Sequence, residues 1–162
     1  TGDVLDIASG DGVLAELLAP HAHRYVCLDA SRRVVAASAE RLKRFSNVEV
    51  REGDMHALPF DEASFDLVVL MHALTYATRP AQAVTEAARV LRPGGRLLLS
   101  SLDRHGHEST VQAYGHANLG FPDKELRRFV TKAGLEIHSA ETVTREKRPP
   151  HFQVISIIAR KP

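Results

Sequence analysis

The sequence predicts an α/β fold: a Rossmann-like, mostly parallel sheet covered by helices on both faces. Three observations predict it. Strand-like and helix-like segments alternate along nearly the whole chain. The stretches Phe65 to Met71 and Arg96 to Leu102 are almost continuously apolar, the pattern of strands buried on both faces. A small-residue turn, Ala8-Ser9-Gly10-Asp11-Gly12, joins the first strand to a helix.

The elements follow in order. Val4 to Ala8 reads as the first strand. Val13, Leu14, Leu17 and Leu18 recur at helical spacing, and Pro20 ends that helix. Tyr25 to Leu28 is the second strand. Ser31 is the expected N-cap of a helix reaching about Phe45, with Val34, Val35, Leu42 and Phe45 on its apolar side. Val48 to Arg51 is a short third strand, and Phe65 to Met71 the fourth. Pro80 suits a first helical turn, and Val84, Ala87, Ala88 and Leu91 make one face of the helix it opens. Pro93-Gly94-Gly95 stops that helix and turns the chain into a fifth strand, Arg96 to Leu102. Asp103 to Gly120 is rich in His and Gly and has little periodicity. Leu126, Phe129, Val130 and Ala133 mark a last helix closed by Gly134. Leu135 to Thr144 and His151 to Arg160 read as two final strands around a charged hairpin loop, Arg145 to Pro150.

Bulk properties narrow the function classes. A chain of 162 residues suits a single domain, residues 1–162, large enough to bury a core without disulfides. A net charge of +1 offers no electrostatic footprint for nucleic acid or a membrane surface. No apolar run approaches the ~18 residues of a membrane span, and no signal peptide is visible. The lone cysteine, Cys27, sits in an apolar run and reads as a small buried residue of a reducing, cytoplasmic compartment. The chain opens Thr1-Gly2-Asp3 with no leading helix, so we expect a domain excised from a longer chain.

The chemistry concentrates after the strands. Glycines in the turn after the first strand let backbone approach a ligand, and the following helix presents free N–H groups to it. Alone this is ambiguous, because Gly10-x-Gly12-x-x-Ala15 also fits a dinucleotide fingerprint or a simple tight turn. Asp29 ends the second strand, where a carboxylate can accept from both ribose hydroxyls of an adenosine or merely cap a turn. Asp54-Met55 follows the third strand, offering an acceptor for an adenine amino group and an apolar wall. His72 follows the fourth. All of these fall at the carboxyl ends of strands, the edge at which open parallel sheets bind ligands.

In combination, Val4-Leu5-Asp6-x-x-x-Gly10-x-Gly12, Asp29-Ala30-Ser31, Gly53-Asp54-Met55 with Leu58-Pro59-Phe60, Phe65-Asp66-Leu67-Val68 and Leu91-Arg92-Pro93-Gly94-Gly95 resemble the class I S-adenosylmethionine-dependent methyltransferases of the type 11 group. The resemblance runs from Val4 to about Arg160. It implies a seven-stranded sheet of order 3-2-1-4-5-7-6 with strand seven antiparallel, and S-adenosyl-L-methionine as cofactor. It implies a cofactor-binding set of Asp6, Ala8, Ser9, Gly10, Gly12, Asp29, Ala30, Asp54, Met55 and His72. Of these, Asp6, Ala8 and Gly10 would line the methionine and ribose side, Asp29 would hold the ribose, Asp54 and Met55 would hold adenine, and His72 would lie beside the sulfonium. The family usually has Gly where this chain has Ala8, a methyl expected to crowd the cofactor slightly. His116-Ala117-Asn118-Leu119-Gly120-Phe121 and Arg148-Pro149-Pro150-His151-Phe152 with Ala159 to Pro162 look more narrowly like methyltransferase domains fused behind an ArsR-type winged-helix regulator. An attached N-terminal winged-helix domain is the partner this implies.

The function expected is methyl transfer to an unidentified acceptor, a small molecule, with His72 as candidate general base or, equally, a cap or packing residue. Tyr76 would wall the site or belong to the core. His105, His107 and His116 lack a matching carboxylate or Cys spacing, so no metal site is expected. Two alternatives stay open. One is a non-catalytic sensor of S-adenosylmethionine or S-adenosylhomocysteine; the other is a nicotinamide-dependent oxidoreductase, favoured only by the glycine spacing.

Overall fold

A computed structural model describes residues 2–102, 120–145 and 153–162. Its strands are β1 (Asp3–Ile7), β2 (Arg24–Asp29), β3 (Val48–Glu52), β4 (Phe65–Met71), β5 (Leu91–Leu102), β6 (Glu136–Arg145) and β7 (Gln153–Arg160). They form one sheet of order β3-β2-β1-β4-β5-β7-β6. Neighbours from β3 to β5 pair in parallel, while β7 runs antiparallel to both β5 and β6. The expected sheet order and the expected reversal are both present.

The helices are α1 (Val13–Leu18), α2 (Arg32–Leu42), α3 (Pro80–Val90) and α4 (Asp123–Lys132). Strand alternation divides the core into two layers. Leu5, Ile7, Val26, Leu28, Val68 and Leu70 face α3 and α4, meeting Val84, Ala87, Leu126 and Val130. Val4, Tyr25, Cys27 and Val69 face the other way, toward Ala15 and Leu42 of α1 and α2. Both faces of the central strands are therefore buried, which is why their sequences lack polar alternation.

Local signals act as read, with four adjustments. Ser31 caps α2, its Oγ accepting from the Val34 N–H at 3.3 Å, and Pro80 opens α3. Gly134, at φ +87°, closes α4 in the left-handed region. The first adjustment is that α2 ends at Leu42, not Phe45, whose N–H closes a last turn on the Leu42 carbonyl at 3.0 Å. The second is that Pro20 sits inside a 3-10 turn, Ala19–His21, that extends α1. Third, β1 stops at Ile7, because Ala8 turns into the left-handed region at φ +56°. Fourth, β5 begins at Leu91, ahead of the Pro93-Gly94-Gly95 turn. Leu91 pairs with Phe65 and Arg96 with Leu67, so Arg92 to Gly95 loop out between two paired positions.

Cys27 is fully buried, as its apolar neighbours imply, and burial pushes its thiol up to about 12. The expected hairpin loop lies outside the described residues from Glu146 to Pro150. So do His105, His107 and His116, and the regulator-like segments His116 to Leu119 and Arg148 to Phe152.

Candidate cofactor site

A cavity of about 440 Å³ opens at the carboxyl edge of β1, β2 and β3. That volume lies within the range of small-molecule sites, roughly 300–1,000 Å³. Three segments build it: the turn after β1 (Ile7, Ala8, Gly10), the β2 end and α2 start (Leu28 to Ser31, Val34), and the loop after β3 (Gly53 to His56). Tyr76, half exposed, adds a wall from beyond β4.

The turn after β1 is held from three sides. The Ala8 and Ser9 N–H groups both donate to the Leu28 carbonyl, at 2.8 and 3.3 Å. The Ser38 hydroxyl, buried on α2, donates to the Gly10 carbonyl at 2.6 Å. The Asp29 carboxylate accepts from the Gly10 N–H at 3.4 Å and from the Ser31 N–H at 3.0 Å. Gly10 has φ +63°, and a Cβ built on it meets no protein atom within 4 Å. Gly12 has φ +90°, and there a Cβ would come within 3.0 Å of Leu42. Gly10 thus leaves room on the cavity side, while Gly12 lets α1 pack closely against α2.

The loop after β3 is clamped by α3. The Leu58 N–H donates to Glu86 Oε1 at 2.8 Å, and Arg89 donates to the Phe60 and Leu58 carbonyls at 2.8 and 3.1 Å. Gly53 fits tightly over Leu28, where a Cβ would lie 2.7 Å from Leu28 Cδ1. The Asp54 carboxylate accepts from the His56 N–H and from the His56 ring, which hold its carboxyl below the ordinary carboxylate range.

Of the expected cofactor-binding residues, Ala8, Gly10, Asp29, Ala30, Asp54 and Met55 line this one cavity, together with Tyr76 as a wall. Asp6, Ser9, Gly12 and His72 do not. Asp6 is buried behind the turn and accepts from the Tyr25 hydroxyl at 2.7 Å; burial raises its carboxyl to about 6. Burial also raises the Tyr25 phenol. The Ser9 hydroxyl is buried. His72 is exposed just past β4 at φ +58°, with its N–H on the Ser100 carbonyl at 2.7 Å and its carbonyl accepting from Thr75 at 2.7 Å. The sequence reading gave no site role to Ile7, Leu28 or His56, and placed Val34 only on a helix face and Gly53 only in a motif. Ile7 and Leu28 are apolar residues of buried strands, and nothing in the sequence marked them as cavity floor.

A strand–glycine turn–helix opening, with one carboxylate after β2 and another after β3, defines a nucleoside-binding α/β domain. Comparison with known proteins names it. Residues 5–99 match the methyltransferase domain family, and the chain belongs to that family: it is a class I S-adenosylmethionine-dependent methyltransferase domain. It is 34% identical over 139 residues, 83% of its length, to a probable S-adenosylmethionine-dependent methyltransferase of Mycolicibacterium smegmatis. The chain spans 52% of that relative and 35% of a 37.1 kDa transposon protein of Streptomyces fradiae, which is 33% identical over 132 residues, 79% of this chain. Among solved structures, the N-methyltransferase NodS of Bradyrhizobium japonicum, crystallised with S-adenosylhomocysteine, superposes with TM-score 0.79 at 24% identity, covering 99% of this chain and 78% of that one.

The cavity fits the cofactor that this family implies. Gly10 leaves open space where any side chain would project. Asp29 and Asp54 supply acceptors on neighbouring strands, and Ile7, Leu28, Val34 and Met55 supply apolar surface for a base.

Proposed function

We propose that the cavity holds S-adenosyl-L-methionine and that the domain transfers its methyl group to a small-molecule acceptor. The observation that carries this reading is the convergence of Asp29, Asp54 and the Gly10 turn on a single cavity. Asp29 accepts from the ribose hydroxyls, because its two oxygens keep further acceptor capacity beside their bonds to the Gly10 and Ser31 N–H groups. Asp54 accepts from the adenine amino group, and Met55 packs on the ring. Asp6 lies buried at the end of β1, held by the Tyr25 hydroxyl.

When bound, the cofactor supplies a methyl carbon that already carries its leaving group. The protein then has to orient an acceptor atom and exclude water. We place His72 as the general base that takes the acceptor's proton. It stands past β4 at the cavity-bearing edge, and a non-glycine residue at φ +58° is the kind of backbone outlier that clusters at functional sites. Tyr76 and the exposed Met71 add apolar surface beside it.

A cytoplasmic location and a longer complete protein with an N-terminal winged-helix domain belong to the same proposal. The buried, free Cys27 supports the first, and the greater length of the relatives leaves room for the second. Among the described residues no helix is long and apolar enough to cross a membrane.

The test uses methyl-labelled cofactor with a panel of small oxygen, nitrogen and carbon nucleophiles. Transfer by the wild-type chain, reduced about 100-fold in His72→Ala with unchanged cofactor affinity, is expected. Full activity in His72→Ala would remove the base assignment. Cofactor binding without transfer to any acceptor would favour a sensor.

A further inference from the structure

One tightly held side chain in the cavity wall is His56, to which the proposed function gives no role. It is 7% exposed, and both ring nitrogens are engaged. Nε2 accepts the Arg79 N–H at 3.1 Å. An accepting nitrogen carries no proton, so the ring proton sits on Nδ1 and is donated to Asp54 Oδ1 at 2.6 Å. The same Oδ1 also accepts the His56 N–H at 2.8 Å. The His56 carbonyl in turn accepts from Gln82 of α3 at 2.8 Å. The Asp54 side chain, by contrast, is 61% exposed and has no comparable packing.

We infer that His56 is a positioning residue that fixes the Asp54 carboxylate, committing Oδ1 to the protein and leaving Oδ2 to read the exocyclic amino group of adenine. A largely exposed aspartate would otherwise rotate, and a rotating carboxylate selects poorly between a donor and an acceptor on the base. Two bonds to one oxygen remove that freedom. The anchor is rigid because the ring's far side is tied to the start of α3, just beyond the 3-10 turn Ala73–Tyr76 that carries the Tyr76 wall. Asp54 Oδ2 has no hydrogen-bond partner among the described residues, and Asp54 lines the cavity. This inference rests on the cofactor reading above.

The experiment is titration calorimetry of the full chain with S-adenosylhomocysteine and with its inosyl analogue, in which a carbonyl oxygen replaces the amino group. Wild type is expected to prefer the adenosyl ligand by about tenfold or more, the scale of one charge-assisted hydrogen bond. His56→Ala is expected to bring that preference to within about threefold. His56→Asn retains a donor near the Nδ1 position and is expected to restore it, whereas His56→Gln, which reaches toward Arg79 instead, is not. In the ligand-free wild type, nitrogen-15 shifts of the ring should report the proton on Nδ1. A folded His56→Ala with the wild-type preference, or a ring protonated on Nε2, would overturn the inference and leave the cofactor reading intact. Failure of the wild type to bind either ligand would overturn both.

Discussion

The two edges of the sheet use the same residue types to opposite ends. At the amino edge, Arg92 forks between Asp3 and Asp66, at 2.9 Å to each. Asp3 Oδ1 meets the His23 ring at 3.0 Å, and the Asp3 N–H donates to Asp66 at 2.8 Å. Lys161 donates to the Ala88 and Leu91 carbonyls at 2.8 and 2.7 Å. Carboxylates there are satisfied by the protein itself. At the carboxyl edge, Asp29 and Asp54 orient backbone but keep acceptor capacity directed to a cavity. Among the described residues, two of the three non-glycine residues at positive φ, Ala8 and His72, also lie at this edge. One edge is closed by its own ion pairs, and the other keeps a cavity open and carries mild backbone strain.

The contrast can be broken by substitution. The largest effect is expected from Gly10→Val. A β-branched side chain at φ +63° is strained by about 1–2 kcal/mol, and its bulk enters the cavity, so cofactor affinity should fall by about 3 kcal/mol or more. Calorimetry on the folded variant checks this; unchanged affinity would reject the turn as part of the site.

Asp6 gives the next largest expected effect, and it acts on stability. Burial raises its carboxyl from 3.8 to about 6. The folded state therefore binds the proton more tightly than the unfolded chain, and the Asp6 contribution to stability is full below about 4 and lost as pH rises through about 6. The loss is about 3 kcal/mol at most. Urea titrations from pH 4 to 7 should show Asp6→Asn gaining on wild type as pH rises. A difference independent of pH would show that Asp6 does not titrate in this window.

Paired variants separate the edges directly. Asp29→Ala is expected to weaken S-adenosylhomocysteine binding by about 1–3 kcal/mol and, because it also frees the Gly10 and Ser31 N–H groups, to cost about 1 kcal/mol in unfolding. Arg92→Met is expected to lower the unfolding temperature and leave that affinity alone. An affinity loss in Arg92→Met would mean that the edges are coupled. The smallest effect belongs to Ala8→Gly. It relieves the left-handed strain but frees the unfolded chain, for a net gain of about 0.5–1 kcal/mol in a denaturant titration.

How much of this was legible in the sequence depends on range. Glycine spacing, the apolar runs and the carboxylates at the ends of β2 and β3 are local patterns, and they led to the strands; the sheet order came from the family resemblance, as did the cofactor-binding set of which six residues line the cavity. The early start of β5 was not legible, because Leu91 is apolar in either a helix or a strand and only pairing with Phe65 decides between them. Nor was the burial of Asp6 against the Tyr25 hydroxyl, because Tyr25 pairs with Val4 and reaches Asp6 diagonally across the sheet face. The role of His56 needed Arg79 at its back, a contact across 23 positions of sequence. Ala8 was read as a possible obstruction to the cofactor. The structure keeps it in the cavity wall and adds backbone strain at φ +56°, a second physical reason for glycine to be usual at that position.

The central claim is that the carboxyl edge is an adenosyl site. Isothermal titration of the purified chain with S-adenosylmethionine and S-adenosylhomocysteine, with NAD as control, tests it most directly. The account predicts one-to-one binding of the adenosyl ligands in the micromolar range and none of NAD. A folded chain that binds neither adenosyl ligand, or binds NAD equally well, would contradict it.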